Sequence, residues 1–400
     1  MIAQGAGRFW SYLNTAETLI KTYDGSTPLV HHLKQYFTQH KKHGSKDRKN
    51  ISHLCYSYFR LGKALPEISI PEKIKAALFL CQQTAGQWLP LFDDSWIENW
   101  REALTDRIHF LQLQYPDFNS KQIFDWLDDL SDGVDAIAFC ESHLVQPDLF
   151  IRVRPGKQQK VVQQLHKAGI AFRTISDQCF AFEQTTKIDD VLRIDEDVVV
   201  QDVSSQRVGQ YLTTIKNQLA QNTSSKPLNV WDSCAASGGK SILAKDTLPA
   251  FNLTVTDIRA SILQNLKQRF AKAGIQQYKM AAADLTGTNE LPNDTFQLIV
   301  CDAPCSGSGT WGRTPEQLYY FTHEKIDYYA SLQQRIVTNA VTRLAKGGYF
   351  LYITCSVFKA ENENMVAFIT QSLKLEHLQS GLISGYAEKG DTMFAALFIA

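Results

Sequence analysis

Apolar residues recur at helical spacing through the first hundred positions, as Trp10, Leu13, Ala16, Leu19 and Ile20, then Leu54, Tyr58 and Leu61, then Ile74, Leu78 and Leu80. Gly44-Ser45 and Gly62 punctuate these runs, and period-two alternation is scarce. The pattern predicts an all-helical amino-terminal domain over residues 1–112. Between Tyr115 and Val200 the texture changes. Phe150 to Pro155 alternates like a strand, Val161 to Leu165 has helical spacing stopped by Gly169, and Ile170-Ala171-Phe172 opens another extended stretch. A small α+β module is expected over residues 113–200.

Strands and helices alternate from there to residue 400. Short apolar runs end in or lead to Asp232, Asp257, Asp284 and Asp302, so four strand ends each deliver a carboxylate. Ser261 to Ala273 reads as a helix stopped by Gly274. Leu332, Ile336, Val337, Val341 and Leu344 read as another, capped by Gly347-Gly348. The order predicts an α/β, Rossmann-like domain over residues 201–400, with ligands at the carboxyl ends of its strands.

Composition narrows this picture only a little. Four hundred residues suit two or three domains. The 41 Lys and Arg balance the 41 Asp and Glu, so global charge favours no nucleic-acid partner. Locally, Lys34, Lys41, Lys42, Lys46, Arg48 and Lys49 face only Asp47, a phosphate-facing patch or a solvated helix end. Apolar runs stay short of the roughly eighteen residues that span a membrane, and Met1 to Phe9 lacks the order of a secretory signal. A soluble, cytoplasmic protein is expected. The eight cysteines form no even framework and read as free thiols; Cys55, Cys81, Cys140 and Cys179 sit in apolar settings.

The turn after the first strand of the third region, Cys234-Ala235-Ala236-Ser237-Gly238-Gly239-Lys240, lets backbone approach a ligand and opens a helix with free amides. A P-loop needs glycine five residues before Gly239, where this chain has Cys234, and the dinucleotide triplet of glycines is missing. That leaves S-adenosylmethionine, with its carboxylate at the helix start, its ribose on Asp257 and its adenine amine on Asp284. Singly, each aspartate reads equally as a turn former.

Asp302-Ala303-Pro304-Cys305 puts a thiol where methyltransferases acting on exocyclic amines place an aromatic, which favours attack on a ring carbon. A pyrimidine C5 becomes nucleophilic only after a thiolate adds at C6, and Cys355, after the strand Tyr349 to Ile353, supplies a thiol. Cys301 alternates away from Asp302 into an apolar strand, and no second close pair of ligands accompanies Cys301 and Cys305, so no metal is expected.

The motifs Asp232 to Lys240, Asp302 to Gly307, and Thr354-Cys355-Ser356 with Glu361-Asn362-Glu363 resemble those of the Nop/Sun, RsmB-like RNA cytosine-5 methyltransferases. Gln201 to Gln206 looks like the opening of that catalytic domain. Gly44 to Arg48 leading into Leu54 to Arg60 is similar, more loosely, to the NusB-like domain of the bacterial ribosomal-RNA members. The resemblance implies S-adenosylmethionine as donor, Cys355 as the attacking thiolate, Asp302 at the cytosine N3 edge and beside the cofactor, and Cys305 as the group that assists release of Cys355. Lys240, near the strand ends, reads as a group that lowers a thiol pKa, as a holder of the cofactor carboxylate or as a structural surface lysine, and the expected partner is ribosomal RNA, bound by a monomer away from membranes. An idle RNA-binding or ribosome-assembly factor on the same fold is the rival reading, with a P-loop-type nucleotide hydrolase behind it. Three departures stand out. Ser237 replaces a usual proline and is expected to loosen the cofactor turn. Arg154 replaces a common asparagine, which puts a substrate contact in doubt. The tail Gly390-Asp391-Thr392-Met393-Phe394 differs from the family ending.

Overall fold

Strand alternation in the last two hundred residues buries both faces of one sheet. Val230, Val255, Leu298, Val300, Leu351 and Ile353 point into one apolar layer; Trp231, Ile299, Cys301, Phe350 and Tyr352 point into the other. A sheet apolar on both sides must be covered on both sides, and helices do this. The computed structural model describes residues 6–220 and 227–400, so the reading of Met1 to Phe9 lies partly outside the described residues.

The chain divides into two compact units, one made of residues 1–128, 135–146 and 310–322, the other of 129–134, 147–309 and 323–400. The first is helical. It contains α1 (Ala6–Thr22), α2 (Leu29–Gln39), α3 (Ser45–Arg60), α4 (Ile70–Cys81), α5 (Asp94–Glu98), α6 (Leu104–Gln114) and α7 (Ala136–Ser142). Leu13, Ala16 and Leu19 of α1 are buried as their spacing predicts, whereas Trp10 stays 44% exposed. Gly44 caps α3, and Gly62 follows it with φ of +50° against the carbonyl of Ile123. Residues 310–322 are integral here: Tyr320 donates to the carbonyl of Tyr23, and Glu316 accepts from the Leu29 amide.

The second unit opens with a four-stranded antiparallel sheet of order β2-β3-β1-β4, formed by β1 (Leu149–Val153), β2 (Arg173–Ser176), β3 (Cys179–Phe182) and β4 (Val198–Val200), with α8 (Gln158–Lys167) packed on it through Val161 and Leu165. The larger sheet follows, of order β10-β11-β9-β8-β5-β6-β7. Its elements along the chain are α9 (Val203–Arg207), α10 (Gly209–Ala220), β5 (Leu228–Asp232), α11 (Gly239–Thr247), β6 (Phe251–Asp257), α12 (Ala260–Ala273), β7 (Lys279–Ala282), β8 (Phe296–Asp302), α13 (Gln317–Tyr320, part of the first unit), α14 (Glu324–Val341), β9 (Leu344–Thr354), α15 (Glu363–Ser372), β10 (Glu376–Ile383) and β11 (Met393–Ile399). Strands β7, β6, β5, β8 and β9 run parallel, and β11 enters antiparallel beside β9. Helices α10, α11 and α12 cover one face; α14 and α15 cover the other. The expected Rossmann-like α/β fold, small α+β module and helical amino-terminal region are present.

One boundary differs. The helix predicted to run through Leu344 ends at Val341, and Gly347-Gly348 lies inside β9 rather than capping a helix. The reason is pairing with distant strands. Gly347 donates to the Ala400 carbonyl, and a Cβ on Gly348 would lie 2.8 Å from the Ala345 carbonyl oxygen and 3.1 Å from that of Phe296.

Arg154, flagged as a departure, has a structural role. Its guanidinium meets Asp246 of α11 at 2.8 Å and also donates to the Asp195 and Ala273 carbonyls, while Arg152 meets the same carboxylate at 2.7 Å.

Candidate active site

The chain leaves β5 for β6 and β7 on one side and returns to β8 on the other, so the sheet reverses direction of winding between β5 and β8. That crevice is where open α/β sheets bind ligands. Asp232 ends β5, Asp302 ends β8, and Cys355 follows the last residue of the adjoining β9.

The two strand-end loops are laced together by backbone. The Ala303 amide donates to the Ile353 carbonyl and the Gly309 amide to the Cys355 carbonyl, both at 2.9 Å. This brings the Cys305 and Cys355 sulfurs to 3.2 Å, with both residues partly exposed. The hydrogen bond to Cys355, followed by burial, pushes the Cys305 thiol well above its ordinary range. Cys305 therefore keeps its proton at neutral pH. Asp302 accepts from Lys240 Nζ at 3.0 Å, and the same ammonium donates to Ser205 Oγ at 2.8 Å. Lys240 thus neutralises a carboxylate at the strand edge. Ser205 had no role in the sequence reading, although it lies in the segment Gln201 to Gln206 that resembles the family's opening.

The glycine turn is held from below. Ala236 (φ +46°) and Gly238 (φ +85°) adopt left-handed backbone, and a Cβ on Gly238 would lie 2.6 Å from the Phe270 ring, whereas one on Gly239 would meet open space. Asp257 accepts from the Ala236 and Arg259 amides, each at 2.9 Å, and from Arg259 Nε at 3.1 Å, so it clamps the turn. Asp284 accepts from the Thr286 amide at 2.9 Å, and that bond holds its carboxyl below the usual range. Ser237 is not loose: Arg269 donates to its hydroxyl at 2.9 Å and its carbonyl at 3.1 Å, and is itself held by Asp195 at 2.8 Å. Ala235 is buried beneath the turn. The Cys234 thiol turns the other way, toward Cys301, and a hydrogen bond to that sulfur pushes it up. Amides at the start of α11, carboxylates at the ends of β6 and just past β7, and open space over Gly239 suit a ligand with an anionic end and a nucleoside.

Asp232 is 1% exposed; Ser241 donates to one of its oxygens at 2.6 Å, and the other oxygen has no partner among the described residues. Burial pushes its carboxyl up to about 7. A carboxyl raised in the folded state contributes most below its unfolded value of about 3.9, and that contribution is lost as pH rises toward 7. Asp232→Asn is therefore expected to gain stability relative to the parent between pH 4 and 7, levelling at a difference on the order of 2–4 kcal/mol. Urea melts of both proteins across this range measure the difference, and a constant difference would refute the assignment.

The family model described as 16S rRNA methyltransferase RsmB/F matches residues 218–385. The Ribosomal RNA small subunit methyltransferase B of Xanthomonas campestris pv. campestris is 28% identical over 286 residues, which cover 68% of this chain and 61% of that relative. The chain thus spans about three fifths of the length of that curated relative. Among solved structures, PH0851 is similar at 19% identity with a TM-score of 0.68, covering 97% of this chain and 98% of that one. NSun6 from Pyrococcus horikoshii, solved with SFG, has 13% identity and a TM-score of 0.54, covering 66% of this chain and 94% of that one. At these identities the solved structures share the fold.

Proposed function

We propose that the chain, whose residues 218–385 match the family model described as 16S rRNA methyltransferase RsmB/F, acts as a member of that family and transfers a methyl group to C5 of a cytosine in RNA, with small-subunit ribosomal RNA as substrate. The observation that carries this reading is the pair of thiols 3.2 Å apart on adjoining strand ends, at the sheet edge that also presents Asp302. A single nucleophile suffices for attack; a second thiol kept protonated beside it suits a reaction in which the first must later leave.

The cofactor is S-adenosylmethionine, which supplies an electrophilic methyl group when bound. Ala235 to Gly239 would line its turn, with Cys234 contributing through backbone; the amides at the start of α11 would take its carboxylate, Asp257 its ribose and Asp284 its adenine amine. Cys355, as thiolate, forms a bond to C6, and the displaced electron pair makes C5 nucleophilic. Asp302 meets the N3 edge of the ring, and Lys240 fixes that carboxylate in place. Once C5 has accepted the methyl group, its proton passes to solvent water, the C6–sulfur bond breaks with its electron pair returning to Cys355, and the Cys305 thiol assists departure by donating its proton to that sulfur. The cytosine must be unpaired or flipped to reach the thiol.

Residues 1–112 serve in this reading as a NusB-like RNA-binding part, and 113–200 as the substrate module. The cations Lys34, Lys41, Lys42, Lys46, Arg48 and Lys49 are all exposed, as phosphate contacts require. Among the described residues no helix is long and apolar enough to cross a membrane.

The test is transfer of label from methyl-labelled S-adenosylmethionine to small-subunit ribosomal RNA, followed by nucleoside analysis. Label on cytosine C5 is expected. Label on an exocyclic amine, or binding of RNA with no transfer and no cofactor uptake by calorimetry, would sink the proposal.

A further inference from the structure

A single buried carboxylate ties the two cysteine loops to each other. Glu361, fully buried, lies six residues beyond Cys355. One of its oxygens accepts from the Ser306 amide at 2.9 Å and from Gln333 Nε2 at 2.8 Å; the other accepts from the hydroxyls of Ser306 at 2.5 Å and Ser356 at 2.6 Å. Ser306 directly follows Cys305, and Ser356 directly follows Cys355. On the other side of Cys305, the Pro304 carbonyl accepts from the same Gln333 amide at 3.0 Å. Cys305 is therefore pinned from both flanks.

The network extends without open ends. Tyr352 shares its one hydroxyl proton between Gln333 Oε1 at 3.0 Å and the Glu361 carbonyl at 2.8 Å, and Ser308 Oγ lies 3.2 Å from Ser356 Oγ while accepting from the Val357 amide at 2.9 Å. A carboxylate is a costly group to bury, and packed apolar side chains of the same volume stabilise a fold at least as well. What a fully satisfied buried network adds is one defined arrangement. Here the four donors come from three separate stretches of chain: the loop after β8, the loop after β9, and α14.

We propose that Glu361 is a positioning residue that sets the separation and orientation of the Cys305 and Cys355 thiols. Its part in catalysis rests on the methyl-transfer reading above, but its part in the geometry does not. Replacing Glu361 by Gln keeps the volume but takes away the charge and one acceptor: the hydroxyls of Ser306 and Ser356 must turn their protons away from position 361, and the charge-assisted links from one carboxylate to both loops become weaker neutral ones.

The test compares the parent and Glu361→Gln as purified full-length proteins. Diamide oxidises a thiol pair by taking two electrons and two protons, forming the disulfide and a hydrazine, and peptide mapping follows the Cys305–Cys355 bond. Glu361→Gln is expected to slow that bond tenfold or more, with calorimetric affinity for S-adenosylmethionine within twofold of the parent. Its kcat on RNA falls tenfold or more, with KM for the cofactor unchanged. Disulfide formation at the parent rate in folded Glu361→Gln overturns the proposal. Should that variant fail to fold, the pair Ser306→Ala with Ser356→Ala removes only the hydroxyl links and is expected to slow the bond threefold or more, and an unchanged rate there also overturns it. A parent that transfers no methyl to RNA, with the thiol result still as expected, removes the functional reading and leaves the positioning role standing.

Discussion

Cys305→Ala, incubated with S-adenosylmethionine and substrate RNA, is expected to end as a protein covalently attached to RNA. The two sulfurs lie 3.2 Å apart, and the hydrogen bond to Cys355 pushes the Cys305 thiol up. If Cys355 is the attacker, its bond to C6 forms with or without Cys305. What disappears in Cys305→Ala is the proton-bearing neighbour at the departing sulfur, so the adduct accumulates. Cys355→Ala lacks the nucleophile and is expected to form no adduct, with turnover reduced by about 10³-fold or more, in the range seen when a nucleophile is deleted. The double variant should match Cys355→Ala, because removing the releasing group has no effect when nothing is attached. Denaturing gels with labelled RNA separate these outcomes. An adduct in Cys355→Ala, or parent-like turnover in Cys305→Ala, contradicts the division of roles.

The parts legible from sequence were those set by local pattern. Strand alternation placed Asp232, Asp257 and Asp302 at strand ends and sent Cys301 into the apolar layer, where it is fully buried. Cys305 and Cys355 were legible as a pair because each sits in a short motif just beyond a strand. Other features depended on partners far along the chain. Ser237 reads as a loosened turn until Arg269 is seen to hold it, and Arg269 is placed by Asp195 from an earlier part of the unit. Gly347-Gly348 reads as a helix stop because a glycine pair commonly is one; its real neighbours are the last residue of the chain and the start of β8. Glu361 stood in a motif with no role, since two of its three donor residues lie 28 residues away in Gln333 and 55 away in Ser306. The motifs were visible, but the convergence of three segments on one carboxylate is a property of topology.

Two glycines make opposite demands on the same site, and substituting them separates framework from cradle. Gly309 is buried; its amide donates to the Cys355 carbonyl and its carbonyl accepts from the Thr392 amide at 2.8 Å. A Cβ there would sit 1.9 Å from the Thr392 carbonyl oxygen and 3.1 Å from that of Cys355, and backbone atoms cannot swing aside as a side-chain end can. Gly309→Ala must therefore push apart the β8 loop, the residue after β9 and the approach to β11. A loss of about 3 kcal/mol is expected, at the upper end for overpacking, together with loss of turnover. Gly239 has nothing within 4 Å of its would-be Cβ and lies at the start of α11. Alanine there is expected to leave stability unchanged or raise it by up to about 1 kcal/mol through helix propensity. It would still weaken S-adenosylmethionine, because the added methyl occupies the space through which the cofactor approaches the turn. Thermal melts with cofactor titrations distinguish the two: Gly309→Ala should lose stability, and Gly239→Ala should lose affinity alone. A Gly239→Ala protein that binds S-adenosylmethionine as tightly as the parent would move the cofactor off this turn.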